Sequence, residues 1–199
     1  MVRALVNGGA PIVQILLDHG ADMEKVNVSG RSALSVAAAA GHEAVVRLLL
    51  ERDADPNRAQ DKNVVTPLML AAAGGQVGVM AELIERGVGI DQTTPTGWTA
   101  LMSAAWRNRP EALLSVDRGA AVNRFTEDGS TALSYAAGRG HDSVVELLIK
   151  CGAELDHRDA GGATALLTAA REGREAAVKL LIEAGAPMST AAITRGRPR

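Results

Sequence analysis

The chain is poor in cysteine and poorer still in aromatic side chains. One cysteine in 199 residues cannot form an intramolecular disulfide. A framework of covalent staples is excluded, and a reducing, intracellular compartment (cytoplasmic or nuclear) is expected. Aromatics make up 2% of the chain, namely Trp98, Trp106, Phe125 and Tyr135. A core without large rings must bring backbones close together to fill space. An excess of positive charge is missing too. The formal net charge is −2, whereas a nucleic-acid-binding body is usually strongly basic. Long apolar runs are also lacking. Met1 to Leu17 has scattered Gly and Pro, without the apolar core and cleavage site of a signal peptide. The longest uncharged run, Asn63 to Ala81, would span a bilayer by count alone. Asn63, Thr66, Pro67, Gln76 and several glycines interrupt it, so it reads as a turn plus two short buried helices. No membrane segment is expected.

What the chain has in abundance is alanine, 36 residues of it, arranged with a period. Leucine falls at Leu34, Leu68, Leu101, Leu133 and Leu166, spaced by 34, 33, 32 and 33 residues. An Ala-Ala pair follows each at a fixed offset: Ala37-Ala38, Ala71-Ala72, Ala104-Ala105, Ala136-Ala137 and Ala169-Ala170. Ser32, Thr66, Thr99, Thr131 and Thr164 precede the leucines by two. A helix-ending glycine recurs at Gly20, Gly87, Gly119, Gly152 and Gly185, with Asp53 in that slot once. Repeats of this length are the mark of solenoids and related arrays.

The stretch from Thr131 to Gly152 shows the physics of one unit. Thr131 is placed to cap a helix by accepting a hydrogen bond from the exposed N–H groups of its first turn. In the copy where Pro67 follows Thr66, proline takes the first helical position, which suits it. Leu133, Ala136 and Ala137 share one face of that helix. Gly140 ends it in a left-handed conformation. Val144, Val145, Leu147, Leu148 and Ile149 supply the apolar face of a second helix, which Gly152 ends. The polar stretch that follows, 153–162, should form a tight hairpin-like loop. Each helix is about nine residues, short of the roughly 12–15 that an isolated helix needs in water. No unit stands alone, and neighbouring copies must cover its faces.

The run Gly30 to Asp55, G-R-S-A-L-S-V-A-A-A-A-G-H-E-A-V-V-R-L-L-L-E-R-D-A-D, resembles the signature of the ankyrin repeat family, and Thr66-Pro67-Leu68 matches its T-P-L core. The resemblance implies an all-α, ankyrin-type solenoid of stacked helix pairs with hairpin-like loops. It would cover residues 1–187: a truncated copy at 1–26, then copies at 27–60, 61–93, 94–125, 126–158 and 159–187. Residues 188–199 would be a flexible basic tail. The histidine that the family carries after T-P-L is replaced by Ser35, Met69, Met102, Ser134 and Leu167. The third copy is one residue short. Its deletion falls in the helix–helix turn 107–110, where Asn108 stands for the turn glycine and tolerates the left-handed conformation. Pro110 suits the first turn of the helix that follows. The terminal copies keep Ile12, Val13, Ile15, Leu16 and Leu17 at one end and Leu180, Leu181 and Ile182 at the other, where a capping copy would be polar.

Catalytic chemistry finds no foothold. His42 and His141 hold one slot of the repeat, directly after the turn glycine, so they read as structural. His19, Cys151 and His157 lack zinc-ligand spacing. The glycines at 74, 75 and 78 neither follow a strand nor end in a phosphate-loop Gly-Lys. No catalytic residue, metal, cofactor or small-molecule substrate is expected. The tail Thr194-Arg195-Gly196-Arg197-Pro198-Arg199 resembles the R-G-R-P core of an AT-hook, in which arginines enter the narrow minor groove of A·T-rich DNA. Arg195, Arg197 and Arg199 are therefore candidate DNA contacts, although DNA is not the expected partner.

All four aromatics lie between residues 98 and 135. The resemblance implies binding of a protein partner through loop tips and the inner face of the first helices. Trp98, Trp106, Arg107, Phe125, Tyr135 and Arg139 occupy such positions, in types enriched at binding hot spots. Trp98, Trp106, Arg107, Phe125 and Tyr135 are expected to converge on the concave, loop-tip side and to stay partly exposed. The expected function is a non-catalytic protein–protein interaction module or adaptor. The alternatives are a nuclear, DNA-associated adaptor using Arg195–Arg199 and an interaction segment of a larger enzyme.

Overall fold

The computed structural model describes residues 9–58, 65–113 and 119–188. The described residues hold ten short α-helices. These are α1 (Ala10–Asp18), α2 (Ala33–Ala40), α3 (Glu43–Glu51), α4 (Pro67–Gly74) and α5 (Val77–Glu85). They continue as α6 (Ala100–Trp106), α7 (Ala132–Arg139), α8 (Asp142–Lys150), α9 (Ala165–Arg171) and α10 (Glu175–Glu183). Five of them begin as the sequence pattern requires. The hydroxyls of Ser32, Thr66, Thr99, Thr131 and Thr164 each accept the backbone N–H three residues on, at 3.2–3.3 Å. Removing such a cap costs about 0.5–2 kcal/mol. Around Thr131 the bond is reciprocal, because the Ser134 hydroxyl also accepts the Thr131 N–H at 2.9 Å.

The helices lie in two rows. The first helices α2, α4, α6, α7 and α9 pack each on the next, and α1–α3, α3–α5 and α8–α10 pack likewise in the second row. Pairs that pack extensively belong to one copy or to adjacent copies. The molecule is an all-α solenoid. In the third copy a 3₁₀ turn at 110–113 opens the place of the second helix. Asn108 has φ 54°, as a stand-in for the turn glycine must, and Asp53 has φ 62° in the slot filled elsewhere by a helix-ending glycine.

The core runs along the stack. Leu34, Leu68 and Leu133 are at most 2% exposed, and both members of the first four alanine pairs are fully buried. A methyl group there lets neighbouring helices approach closer than a leucine would. In the last copy Ala169 is buried but Ala170 is exposed. Ile12 and Ile15 of α1 and Ile182 of α10 are also exposed, at 56%, 58% and 44%.

Several sets of links join successive copies outside this core, and two of them run along its edges. At one edge, hairpins close with a backbone bond from Thr94 to the Trp98 carbonyl and from Thr126 to Ser130, both 3.0 Å, and from Asp159 to Ala163 at 2.9 Å. Their tips stack. The Glu127 N–H donates to the Thr96 carbonyl at 2.9 Å, and the Ala160 N–H to the Asp128 carbonyl at 2.8 Å. Glycine is required there, since a Cβ on Gly129 would lie 2.8 Å from the Asp159 Cα, at φ 77°. At the other edge, Arg109 Nε donates to the Ala73 carbonyl at 3.3 Å, His141 Nε2 to Trp106 at 3.2 Å, and Arg174 Nε to Gly138 at 3.1 Å. A carbonyl only accepts, so His141 Nε2 is the donor in this bond.

Candidate functional site

Trp98 ends the hairpin of the third copy, where its backbone N–H donates to the Thr94 hydroxyl at 3.1 Å. Its indole N–H donates to Ser103 Oγ at 2.7 Å, and that hydroxyl in turn donates to the Thr99 carbonyl at 3.0 Å. The ring is thereby fixed over α6. Trp106 is the last residue of α6, and Tyr135 lies on α7. Three rings therefore meet across two copies. Ring centroids are 4.6 Å apart for Trp98–Tyr135, 5.5 Å for Trp106–Tyr135 and 5.9 Å for Trp98–Trp106, the last two edge to face. These are the favoured aromatic geometries. The Tyr135 hydroxyl reaches to 3.5 Å of the Thr126 hydroxyl at the next hairpin tip.

Arg139 follows Tyr135 by one helical turn, so both lie on the same face of α7. Its guanidinium carbon stands 3.5 Å above the Trp106 ring. Trp106 is 36% exposed, whereas Trp98 and Tyr135 are half-buried and rest against the edge of the aliphatic core. The rings thus have a packing role that an aliphatic core did not require of them, and a solvent-facing side as well. Arg107 caps the C-terminus of α6 and is exposed.

Phe125 goes elsewhere. It stacks on His157 of the following hairpin, with centroids 5.3 Å apart and planes 29° off parallel, and is 58% exposed. It pairs across its own hairpin with Thr131 in an isolated bridge. His157 is held by a bond from Nε2 to the Gly129 carbonyl at 3.0 Å. Sequence reasoning missed both His157 and Ser103. Ser103 sits in the slot that holds Tyr135 one copy later, and a serine there gave no sign that it anchors a ring. Arg195, Arg197 and Arg199 lie outside the described residues.

Other charged groups are committed to the scaffold. The Thr126 hydroxyl donates to the Asp128 carboxylate, and this bond holds the Asp128 pKa below the ordinary value of 3.8. Asp18 is held low by hydrogen bonds from Arg52, at 2.7 Å, and from Gln14. A shallow depression of about 350 Å³ beside α1 is lined by Leu17, Ala21, Asp22, Met23, Glu24 and Arg52. Its charges are used locally: Arg52 pairs with Asp18, Glu24 with Arg58 at 2.9 Å, and Asp22 accepts the Glu24 N–H. Among the described residues no group of three or more His, Cys, Asp or Glu side chains could hold a metal ion. None of their helices is long and apolar enough to cross a membrane.

The chain matches the profile of ankyrin repeats (3 copies) over residues 1–60, 57–124 and 111–191. Among curated proteins it is 38% identical over 102 residues to ankyrin repeat domain-containing protein 63 of Homo sapiens, covering 49% of this chain and 27% of that protein. It is 37% identical over 119 residues to the photoreceptor ankyrin repeat protein of Homo sapiens, covering 57% of this chain and 26% of that protein. It is 33% identical over 96 residues to glycerophosphocholine phosphodiesterase gde1 of Schizosaccharomyces pombe, covering 48% of this chain and 8% of that protein. The chain thus spans about a quarter or less of the length of these relatives.

Proposed function

The chain belongs to the ankyrin repeat family, and we propose that it acts as a non-catalytic protein-interaction module whose contact surface is centred on Trp106. The observation that carries this reading is the Trp98–Trp106–Tyr135 cluster with Arg139 stacked on its open side. No other copy places an aromatic ring at the equivalent positions. A rigid aromatic surface with low conformational entropy is what a binding hot spot uses, and Trp, Tyr and Arg dominate such spots. Phe125 and His157 extend the surface along the hairpin tips. The net charge of −2 supplies no basic footprint for nucleic acid.

Site-specific photocrosslinking in cells tests this. A photoreactive residue placed at Trp106 should capture a discrete protein partner. The same residue at Arg47, exposed on the second-helix row, should not. Equal capture from both sites, or none from Trp106, refutes the reading.

A further inference from the structure

The interaction surface carries two cations, Arg107 and Arg139, that pair with no carboxylate among the described residues. Arg107 and Arg139 fall in the same slot of consecutive copies, one position beyond Trp106 and Gly138 respectively. The corresponding residues of the other copies are Ala40, Gly74 and Glu172. Both arginines are exposed. The nearby basic side chains are otherwise employed: Arg109 and Arg174 donate to carbonyls of the preceding copy, and Arg171 pairs with Glu172 at 3.3 Å. Arg139 differs in kind. Its guanidinium carbon stands over the Trp106 ring, 3.5 Å from the centre, a separation that leaves room for the planar group only when it lies close to parallel with the ring. Stacking uses the face of a guanidinium and leaves the N–H donors around its edge free for a carboxylate. It also holds the fork in place before any ligand arrives, so less freedom is lost on binding. First helices in adjacent copies stand roughly 8–10 Å apart, which sets the two guanidinium-bearing positions about one helix spacing from each other.

We propose that Arg139 and Arg107 form a double guanidinium receptor for an acidic segment of a protein partner, with a carboxylate bound edge-on by Arg139 and an apolar neighbour in that segment laid against Trp106. The proposal rests on the reading of this surface as an interaction site and adds the chemistry of what it takes. Carboxylate is favoured over nucleic-acid phosphate because backbone-tracking proteins need a broad basic surface, whereas here two arginines stand in a body of net charge −2.

The test uses the full chain and a display library of random short peptides as the probe. Both tryptophans of the protein lie in the cluster, so the change in tryptophan emission on adding a selected peptide reports this surface directly. The expected result is a selected pool enriched in Asp and Glu beside an apolar residue. Binding should weaken with added salt. Arg139→Gln should weaken it about ten- to a hundredfold, the range for losing a charge-assisted hydrogen bond. Arg139→Lys should recover little, because lysine keeps the charge without the fork, and Arg107→Gln should have a smaller effect. Urea unfolding of each variant, followed by circular dichroism, verifies that it is folded.

A pool without acidic enrichment, a selection that yields no binder, or binders indifferent to both arginine substitutions overturns the proposal. So does displacement of the peptide by a short single-stranded oligonucleotide at equal concentration, which would make the surface a phosphate site. If Trp106→Ala abolishes peptide binding while Arg139→Gln leaves it intact, the interaction surface stands and the acidic ligand falls. If the selected peptides ignore Trp106→Ala as well, the interaction reading itself fails.

Discussion

Gly129 and Gly152 have nearly the same backbone, φ 77° and φ 82°, and opposite surroundings. A Cβ on Gly152 would meet nothing within 4 Å. One on Gly129 would lie 2.8 Å from the Asp159 Cα and 3.0 Å from the Ala160 nitrogen. Both contacts are with backbone, so neither can rotate away. Gly152→Ala therefore introduces only the left-handed strain of an L-residue, about 1–2 kcal/mol. Gly129→Ala introduces the same strain and also pushes the two hairpin tips apart. Restoring ordinary contact needs a shift of about 0.6 Å or more, enough to stretch the 2.8 Å bond from Ala160 to the Asp128 carbonyl beyond useful range. Overpacking of this kind costs about 1–3 kcal/mol. The stiffening of the unfolded chain on Gly→Ala is common to both variants and cancels in their difference. Gly129→Ala is thus expected to be less stable than Gly152→Ala by about 1–3 kcal/mol, read from urea melts with matching slopes. A difference below about 0.5 kcal/mol would mean that the tips do not bear on one another, and the reasoning would fail.

Trp106→Ala loses two edge-to-face ring contacts at about 0.5–1.5 kcal/mol each, so its unfolding cost should stay below the roughly 3–5 kcal/mol of a core tryptophan; a larger cost would make the ring core. Leu133→Ala should cost about 2–5 kcal/mol, while Ile12→Ala, at 56% exposed, should fall within about 0.5 kcal/mol of the parent; chemical denaturation of both tests the contrast. Asp128 binds its proton less tightly in the folded state because Thr126 donates to it. Its stabilising contribution is therefore complete above the unfolded pKa near 4 and is lost as pH falls below that, through the lowered folded value; Asp128→Asn should flatten this acid limb of the urea midpoint, and an unchanged limb refutes the assignment. Amide hydrogen exchange should be faster in α1 and α10 than in α4 and α7, which are covered on both sides; equal protection would contradict the stacking.

The architecture was legible because every force that shapes it recurs at the repeat period. Thr131, Ala136, Gly140 and Gly152 act through local backbone chemistry, which a sequence displays directly. Asn108 and Pro110 announced the irregular third copy for the same reason. The cluster was only partly legible. Trp98, Trp106 and Tyr135 do meet, yet Phe125 does not join them, and nothing in the sequence marked Arg139 as stacking on Trp106. Phe125 lies on the outgoing arm of its hairpin and Trp98 on the returning arm of the preceding one, and the outgoing arm turns toward His157. Nearness in the chain carries no information about which arm faces which neighbour. Nor did Ser103 declare itself, because the bond to Trp98 spans a hairpin arm and a helix whose relative placement appears only in three dimensions.

The side-chain and tip bonds to carbonyls of the preceding copy also determine how the molecule yields to force. Each such bond, whether from His141, Arg174 or Ala160, ties one unit to the unit immediately before it. Units joined this way carry tension in series, like links in a chain. A pull applied along the stack loads every junction equally, and the weakest opens first, its released length slackening the others until the pull takes up the slack. Extension should then proceed in steps of one copy, about 33 residues each by the spacing from Leu133 to Leu166. Because these two sets of links run along separate edges, bending the stack toward one edge compresses that row while stretching the other. A partner seated across the third and fourth copies would therefore act as a brace against flexure beside the 3₁₀ turn at 110–113, which opens the place of the third copy's second helix.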